Sequence, residues 1–488
     1  MAHRSLIIVA LLVALVAYAL PSITSYWHIP REYVQGRNGT VLFITNIEHG
    51  LSNAHIATAQ SLLEHHHNID VHYASFAAGP VEGKLTRMAD FVRRRDPGAK
   101  SVKFHPLAGK TFEVAGGYHH DNVSQNMVSP PGIAGLPQLT TIIDSIHGWT
   151  VEEHFEIYSE VAKLIEEIDP AVVVLDTMMA PAVDATRAAN RAHIIITPNT
   201  LAENFAPLQP YGKGFWKYPA LGTGFSYPLP WRNIPENLYV NFRIIVQFLW
   251  SDRMNELRQA GIKDPSNLIN MHREDVPWIT MNTEGAALPV QFVPENVTGV
   301  GPMVLSSAPA VEQDAELVAW ASRGDTILIN LGSFFKYTRD WAVPMVNAVA
   351  DLLNHSEDRV QLRLSKWLTV DPMSLLESGS IAVSVHHGGS NCYHEAVRAG
   401  VPHVILPMWA DLYAFASLVE NIGIGVWACK ETAPGWTKEG LLNAMMTILD
   451  DEIGVKIRRK AEQLGEEVRS RPAGRDVAAK VVTKLAYL

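Results

Sequence analysis

Two histidines, two glycines, a serine and an asparagine follow an apolar strand in SVHHGGSNCYHEAVRAGVPHVILP, residues 384–407. These residue types suit an anion held beside a set of hydroxyls. Gly388 and Gly389 let the backbone approach a ligand closely or take a positive φ. The helix predicted just beyond starts with unpaired N–H groups and about half a positive charge, a ready site for phosphate. Ser390 or Asn391 can cap that helix, and Gly400 followed by Pro402 ends it. Asn391 and Glu395 share one helix face. A carboxylate repels phosphate but accepts two hydroxyls well, so a diphosphate next to a sugar diol satisfies both groups. His387 sits where a neutral imidazole donates to a phosphate oxygen. Asp411, after PMWA, lies at the end of the next strand on the same sheet edge. A strand–GG–helix turn by itself is also an ordinary tight connection; its neighbours here favour a nucleotide sugar.

The elements that position these residues alternate along the chain. TVLFIT (40–45) reads as a buried strand, followed by a polar loop (46–52), a helix from Asn53 to His66 and the strand DVHYASF (70–76). The pattern continues with a long helical stretch over 139–168, the strand AVVVLD (171–176), a short helix over 180–191 and the strand HIIIT (193–197). Residues 205–250 change character and hold 12 of the 41 aromatic residues. WITMNT (278–283) and VTGVGP (297–302) complete the first half. A second series starts at TILINLGS (326–333), with a helix over 340–354 and strands IAVSV and HVIL. Strands alternating with helices imply parallel sheets covered on both faces. The expected fold is α/β, with two Rossmann-like doubly wound domains. Ligands of such sheets lie outside the carboxyl ends of the strands.

With 488 residues the chain has room for two or three domains, and 47% apolar residues supply their cores. A net charge of −10 argues against a nucleic-acid binder. Cys392 and Cys429 offer neither a disulfide framework nor a metal pair. His65, His66, His67 and His72 do not form a metal site, because consecutive helical residues point apart. Residues 6–20 are an unbroken apolar run behind Arg4. This fits a signal peptide or, extended to Trp27, a membrane anchor. The expected location is a membrane of the endoplasmic reticulum, on either side.

The stretch HHGGSNCYHEAVRAGVPHVILPMWADLYAFA resembles the signature of UDP-dependent glycosyltransferases with the GT-B fold, through His387, Gly389, Glu395, Gly400, Val401, Pro402, Pro407 and Asp411. TILINLGS resembles the family's strand and Gly-Ser loop, WLTVDP (367–372) its W-x-P-Q element, and VLFITNIEHG its first strand. The resemblance spans residues 40–485 and looks closest to fungal members. It implies two domains facing a central cleft: a leader at 1–27, an acceptor-binding domain at 31–305, a UDP-sugar-binding domain at 306–465 and a C-terminal helix at 466–488. It implies that Trp367 stacks on uracil and Glu395 holds the ribose. His387, Asn391 and Ser333 would bind the diphosphate beside Gly389, and Asp411 would contact sugar hydroxyls. Three positions depart from the pattern: Cys392 for Ser or Thr, Leu412 for Gln, and Val370 for the Gln of W-x-P-Q. Between His355 and Trp367 about one βα unit is missing.

Inverting transfer needs a base for the acceptor hydroxyl, and histidine suits it. The family places that histidine after a glycine matching Gly50, where this chain has Leu51. His49, expected in the loop, and His55, expected in the first helical turn, are the candidates, with a base elsewhere as the third reading. Asp176, at the end of AVVVLD, is the expected supporting carboxylate. No D-x-D pair occurs, which favours a metal-independent reaction, and the UDP-sugar is a substrate with no separate cofactor. The aromatic segment would line a lipophilic acceptor pocket, touch a membrane or pack as a lid. The expected activity is transfer of a hexose from a UDP-sugar to a small lipophilic alcohol. The alternatives are an impaired UDP-sugar-binding protein and a nucleotide-sugar epimerase.

Overall fold

The computed structural model of the chain describes residues 32–117, 127–332, 337–355, 360, 368, 370–449 and 452–487. The apolar segment 6–20, Ser333 and Trp367 lie outside the described residues. Among the described residues, no helix is long and apolar enough to cross a membrane.

The first half is a parallel sheet of seven strands: β1 (Arg37–Ile44), β2 (Asp70–Phe76), β3 (Lys103–Leu107), β4 (Pro170–Asp176), β5 (His193–Thr197), β6 (Trp278–Met281) and β7 (Val297–Val300). Its order is β3-β2-β1-β4-β5-β6-β7. The order reverses between β1 and β4, so their carboxyl ends diverge into loops that frame a crevice. β1 and β4 are buried on both faces, which is why they read as continuous apolar runs. The second half has four parallel strands: β8 (Thr326–Asn330), β9 (Ile381–His386), β10 (His403–Ile405) and β11 (Gly425–Trp427), in the order β11-β10-β9-β8. Helices Arg339–His355 and Lys438–Leu449 pack on one face, and helices Ser390–Ala399, Leu412–Ile422 and Glu452–Arg469 on the other.

The second sheet differs from a full doubly wound sheet. It grows in one direction from β8. Beyond the free edge of β8, the described residues add only one parallel bridge, between Asp325 and Val360. That is where the expected missing βα unit would pair.

Three boundaries differ from expectation for identifiable reasons. The first helix starts at His49, one turn early, with Glu48 at its N-cap. The stretch 139–168 is two helices, Leu136–Ser145 and Val151–Ile168. Gly148 separates them; a Cβ there would lie 2.5 Å from the Ala115 carbonyl oxygen. Thr150 and Glu153 form a capping box that restarts the helix. A division at 465/466 falls inside helix Glu452–Arg469, and the chain crosses back only afterwards. The last helix, Gly474–Ala486, then docks on the first domain. Its Ala478, Ala479, Val482 and Ala486 join Val41, Ala54 and Val172 in one core cluster. Full burial of one valine contributes about 1.5–3 kcal/mol, and Ser61 Oγ adds a 2.7 Å bond to Asp476.

Candidate functional site

The turn after β9 and the loop after β8 each place a glycine against one imidazole, that of His387. Gly388 has φ +95°, and a Cβ there would lie 2.8 Å from Ile405. A Cβ on Gly389 would lie 2.5 Å from His387 Nε2. Gly332, in the loop after β8 with φ +82°, would place one 2.8 Å from the same ring. Only bare backbone fits against His387 on those sides. Burial pushes His387 down to about 4, so it is neutral at physiological pH. Its Nδ1 is buried without a hydrogen-bond partner.

Helix Ser390–Ala399 has Gly389 at its N-cap, and no side chain caps it. Ser390 and Asn391, the expected caps, instead reach across the cleft. Ser390 Oγ donates to the Pro198 carbonyl at 2.8 Å, and Asn391 Nδ2 to the His49 carbonyl at 2.7 Å. The first-turn N–H groups therefore keep their capacity for an anion. Gly400 ends the helix at φ +77°, as expected.

Glu395 lies one turn further along. Burial, reinforced by Asp371 and opposed by Lys84, pushes its carboxyl up to about 8. Asp411 sits at the N-cap of helix Leu412–Ile422 without capping it. Burial and the negative Glu203 of the first domain push it up to about 7. Glu395 stands on the helix that carries Asn391, and Asp411 at the start of the helix that follows the neighbouring strand β10.

The first domain supplies the opposite wall. Asp176 is fully buried at the tip of β4. Its Oδ2 accepts from Asn46 N at 3.3 Å and Asn46 Nδ2 at 3.2 Å, and its Oδ1 from Met178 N at 3.0 Å. His49 is the first residue of its helix rather than a loop residue. Its Nδ1 lies 2.8 Å from Lys84 Nζ, which also donates to Asn53 Oδ1 at 2.7 Å. Burial and then Lys84 push His49 down to about 4, and burial pushes Lys84 down to about 8.

One expectation about the base is corrected here. His55 lies in the second helical turn and not the first, and it is fully buried, with Nδ1 2.9 Å from the Leu51 carbonyl. Asp176 lies beside His55, one of the two expected bases, and not beside His49. The histidine whose charge acts on it is His55, while His49 is held by Lys84.

The aromatic segment divides. Phe215 and Tyr218 are buried, whereas Trp231 is 84% exposed. Ser417 Oγ donates to the Phe225 carbonyl at 3.0 Å, so the segment also ties the domains together. Among the described residues, no group of three or more His, Cys, Asp or Glu could hold a metal ion.

The sequence reading missed Glu48, Lys84, Glu203 and Asp371. Glu48 adjoins His49 at a strand end, so its position was visible. Lys84 and Glu203 arrive from helices of the first domain, and Asp371 from the N-cap of helix Pro372–Glu377, in places that no local pattern reveals.

A profile of the erythromycin biosynthesis protein CIII-like C-terminal domain matches residues 351–484. Glycosyltransferase sdnJ of Sordaria araneosa is 29% identical over 511 aligned positions, covering 93% of this chain and 99% of that protein. These matches support a family 1 UDP-glycosyltransferase. The fold of this transferase agrees with solved structures too distant in sequence to say more. The glycotransferase of kitacinnamycin superposes with a TM-score of 0.60 at 17% identity, over 92% of this chain and all of that one. Phytolacca americana UGT2, complexed with UDP-2fluoro-glucose and pterostilbene, superposes with a TM-score of 0.59 at 13% identity, over 93% and 99% of the two chains. The two-domain GT-B architecture and UDP-dependent glycosyl transfer follow for this enzyme.

Proposed function

We propose that the enzyme transfers a hexose from its UDP-sugar donor, with inversion and without a metal, to a hydroxyl of a small lipophilic acceptor. The observation that carries this reading is the uncapped start of helix Ser390–Ala399, with Glu395 one turn along the same face. The helix start takes the diphosphate, together with His387, the Gly389 backbone and Asn391. Glu395 takes the two ribose hydroxyls, and Asp411 takes hydroxyls of the sugar. By family resemblance, Ser333 and Trp367 add a phosphate contact and the uracil stack.

The leaving UDP is stabilised by fixed N–H dipoles and the helix start, which need no reorganisation as charge develops. The acceptor lies under the first domain, beside the tips of β1 and β4 and the buried part of the aromatic segment. The phenolic pterostilbene of the Phytolacca complex supports an aromatic or otherwise apolar acceptor. Residues 6–20 would hold the enzyme at an endoplasmic reticulum membrane, a reading that rests on their apolar sequence.

The test combines two measurements. Mass spectrometry of products from UDP-glucose and a mixed panel of sterols, hydroxy fatty acids and phenols should show one hexose added to a lipophilic member. Glu395→Ala should abolish UDP binding by calorimetry. Unchanged UDP affinity would remove Glu395 from the donor site, and a panel without any hexosylated member would refute the lipophilic acceptor.

A further inference from the structure

We propose that Glu48 is the general base of the reaction, an inference that rests on the transfer reading above. Glu48 stands at the tip of β1, immediately before the first helix, on the edge where the acceptor must meet the sugar. It occupies the N-cap position but does not cap the helix. Its Oε1 is anchored by the Glu113 backbone N–H at 3.1 Å. Its Oε2 is buried and has no hydrogen-bond partner. An unsatisfied buried oxygen is costly, and an acceptor hydroxyl is a donor that relieves that cost.

The rival groups are committed elsewhere. Lys84 donates to His49 Nδ1, which leaves the ring proton on Nε2, so neither nitrogen offers a lone pair to a hydroxyl. His55 is fully buried a turn further along the helix, with Nδ1 on the Leu51 carbonyl, whereas Glu48 stands before the helix starts. Both oxygens of Asp176 already accept hydrogen bonds. Leu51 stands where the family carries its histidine. The charged groups that act on Glu48 are Asp176 at the end of β4 and Glu113 in the short helix Phe112–Ala115 beyond β3. Burial, with their negative charges, pushes its carboxyl up to about 7. A base is most effective when its pKa lies near the working pH.

The step balances as follows. The acceptor hydroxyl gives its proton to Glu48 Oε2, and its oxygen forms a bond to the anomeric carbon. The bond from that carbon to the β-phosphate oxygen breaks, and its electron pair leaves with UDP. Glu48 then passes the proton to water.

The test compares Glu48→Gln and Glu48→Asp with the unmodified enzyme, using UDP-glucose and two acceptors from the panel. One is an aliphatic alcohol, which needs deprotonation; the other is 4-nitrophenol at pH 8, where it is already largely ionised. Glu48→Gln should lower kcat with the alcohol by about 10²–10⁴-fold. With the ionised phenol the loss should stay within about tenfold, and UDP affinity should hold. Glu48→Asp should fall between. The acid limb of the pH–rate profile, set by a group near 7, should vanish in Glu48→Gln. Equal losses on both acceptors, or no loss with the alcohol, would overturn the assignment while leaving the transfer reading intact. An unmodified enzyme that binds UDP yet transfers to neither acceptor would overturn the transfer reading, and the role of Glu48 with it.

Discussion

The side-chain amide of Asn391 donates to the backbone carbonyl of His49 at 2.7 Å, joining residues 342 positions apart. One belongs to the second domain and the other to the first. The bond ties the start of helix Ser390–Ala399 to the start of helix His49–His65, beside the Ser390–Pro198 contact. The amide proposed to grip the diphosphate thus also joins the two domains, with the second N–H of its Nδ2 left for a phosphate oxygen.

Asn391→Ala should therefore weaken UDP binding modestly. One hydrogen bond contributes about 0.5–1.5 kcal/mol, or about two- to twelvefold in affinity. Titration calorimetry with UDP measures it, and an unchanged affinity would separate Asn391 from the phosphates. The larger change, Asn391→Asp, should cost more because it adds a like charge at the phosphate site.

Gly332→Ala should damage the donor site through His387. The backbone there has φ +82°, and the new methyl would lie 2.8 Å from the imidazole. Left-handed backbone at a non-glycine residue costs about 1–2 kcal/mol, before the ring is displaced. We expect a lower thermal midpoint and a loss of UDP affinity greater than that of Asn391→Ala. Retention of wild-type affinity would show that the loop gives way without moving His387.

Glu395 should show a trade between stability and binding. Its carboxyl is raised to about 8 in the folded enzyme, against an ordinary value of 4.5. The folded state then holds a proton that the unfolded chain has already released between those pH values. Stability from this group is present at pH 4 and lost as pH rises towards 8. Glu395→Gln should raise the thermal midpoint at pH 8, by a stabilisation of about 1–2 kcal/mol after allowance for solvent, and leave it unchanged near pH 4. The same variant should lose the thermal shift given by UDP. A lower midpoint at pH 8 would contradict the buried-carboxyl account.

Lys84→Met should free the Nδ1 of His49. Lys84 is the second cause of the depressed histidine, behind burial, so its removal should raise the titration midpoint of His49 by about one pH unit without restoring the ordinary value. Imidazole NMR resonances report this directly. A midpoint still near 4 would mean that burial alone governs the ring.

The architecture was legible because it follows from local physics. β1, β4 and β9 announce themselves as apolar runs since both of their faces are buried. Gly388, Gly389 and Gly400 mark backbone that other residues fit poorly. Weaker elements escaped notice: β3, KFHPL, is a half-exposed edge strand with little alternation, and β11 has only three residues. The break at Gly148 was readable from the Thr150–Glu153 spacing but is easily passed over between two apolar helices.

Residue types and order settle that a strand, a glycine turn and a helix start stand together, and that Glu395 and Asp411 lie near them. They do not settle protonation or partnership. His49 looked like a base until Lys84, 35 residues later, was found on its ring. His55 looked accessible until the first helix was rotated into place against the sheet. Glu48 became a candidate only once Glu113 and Asp176 enclosed it. A pKa is the difference between the solvation of a charge in water and in its folded surroundings, and those surroundings come from chain segments far apart in sequence.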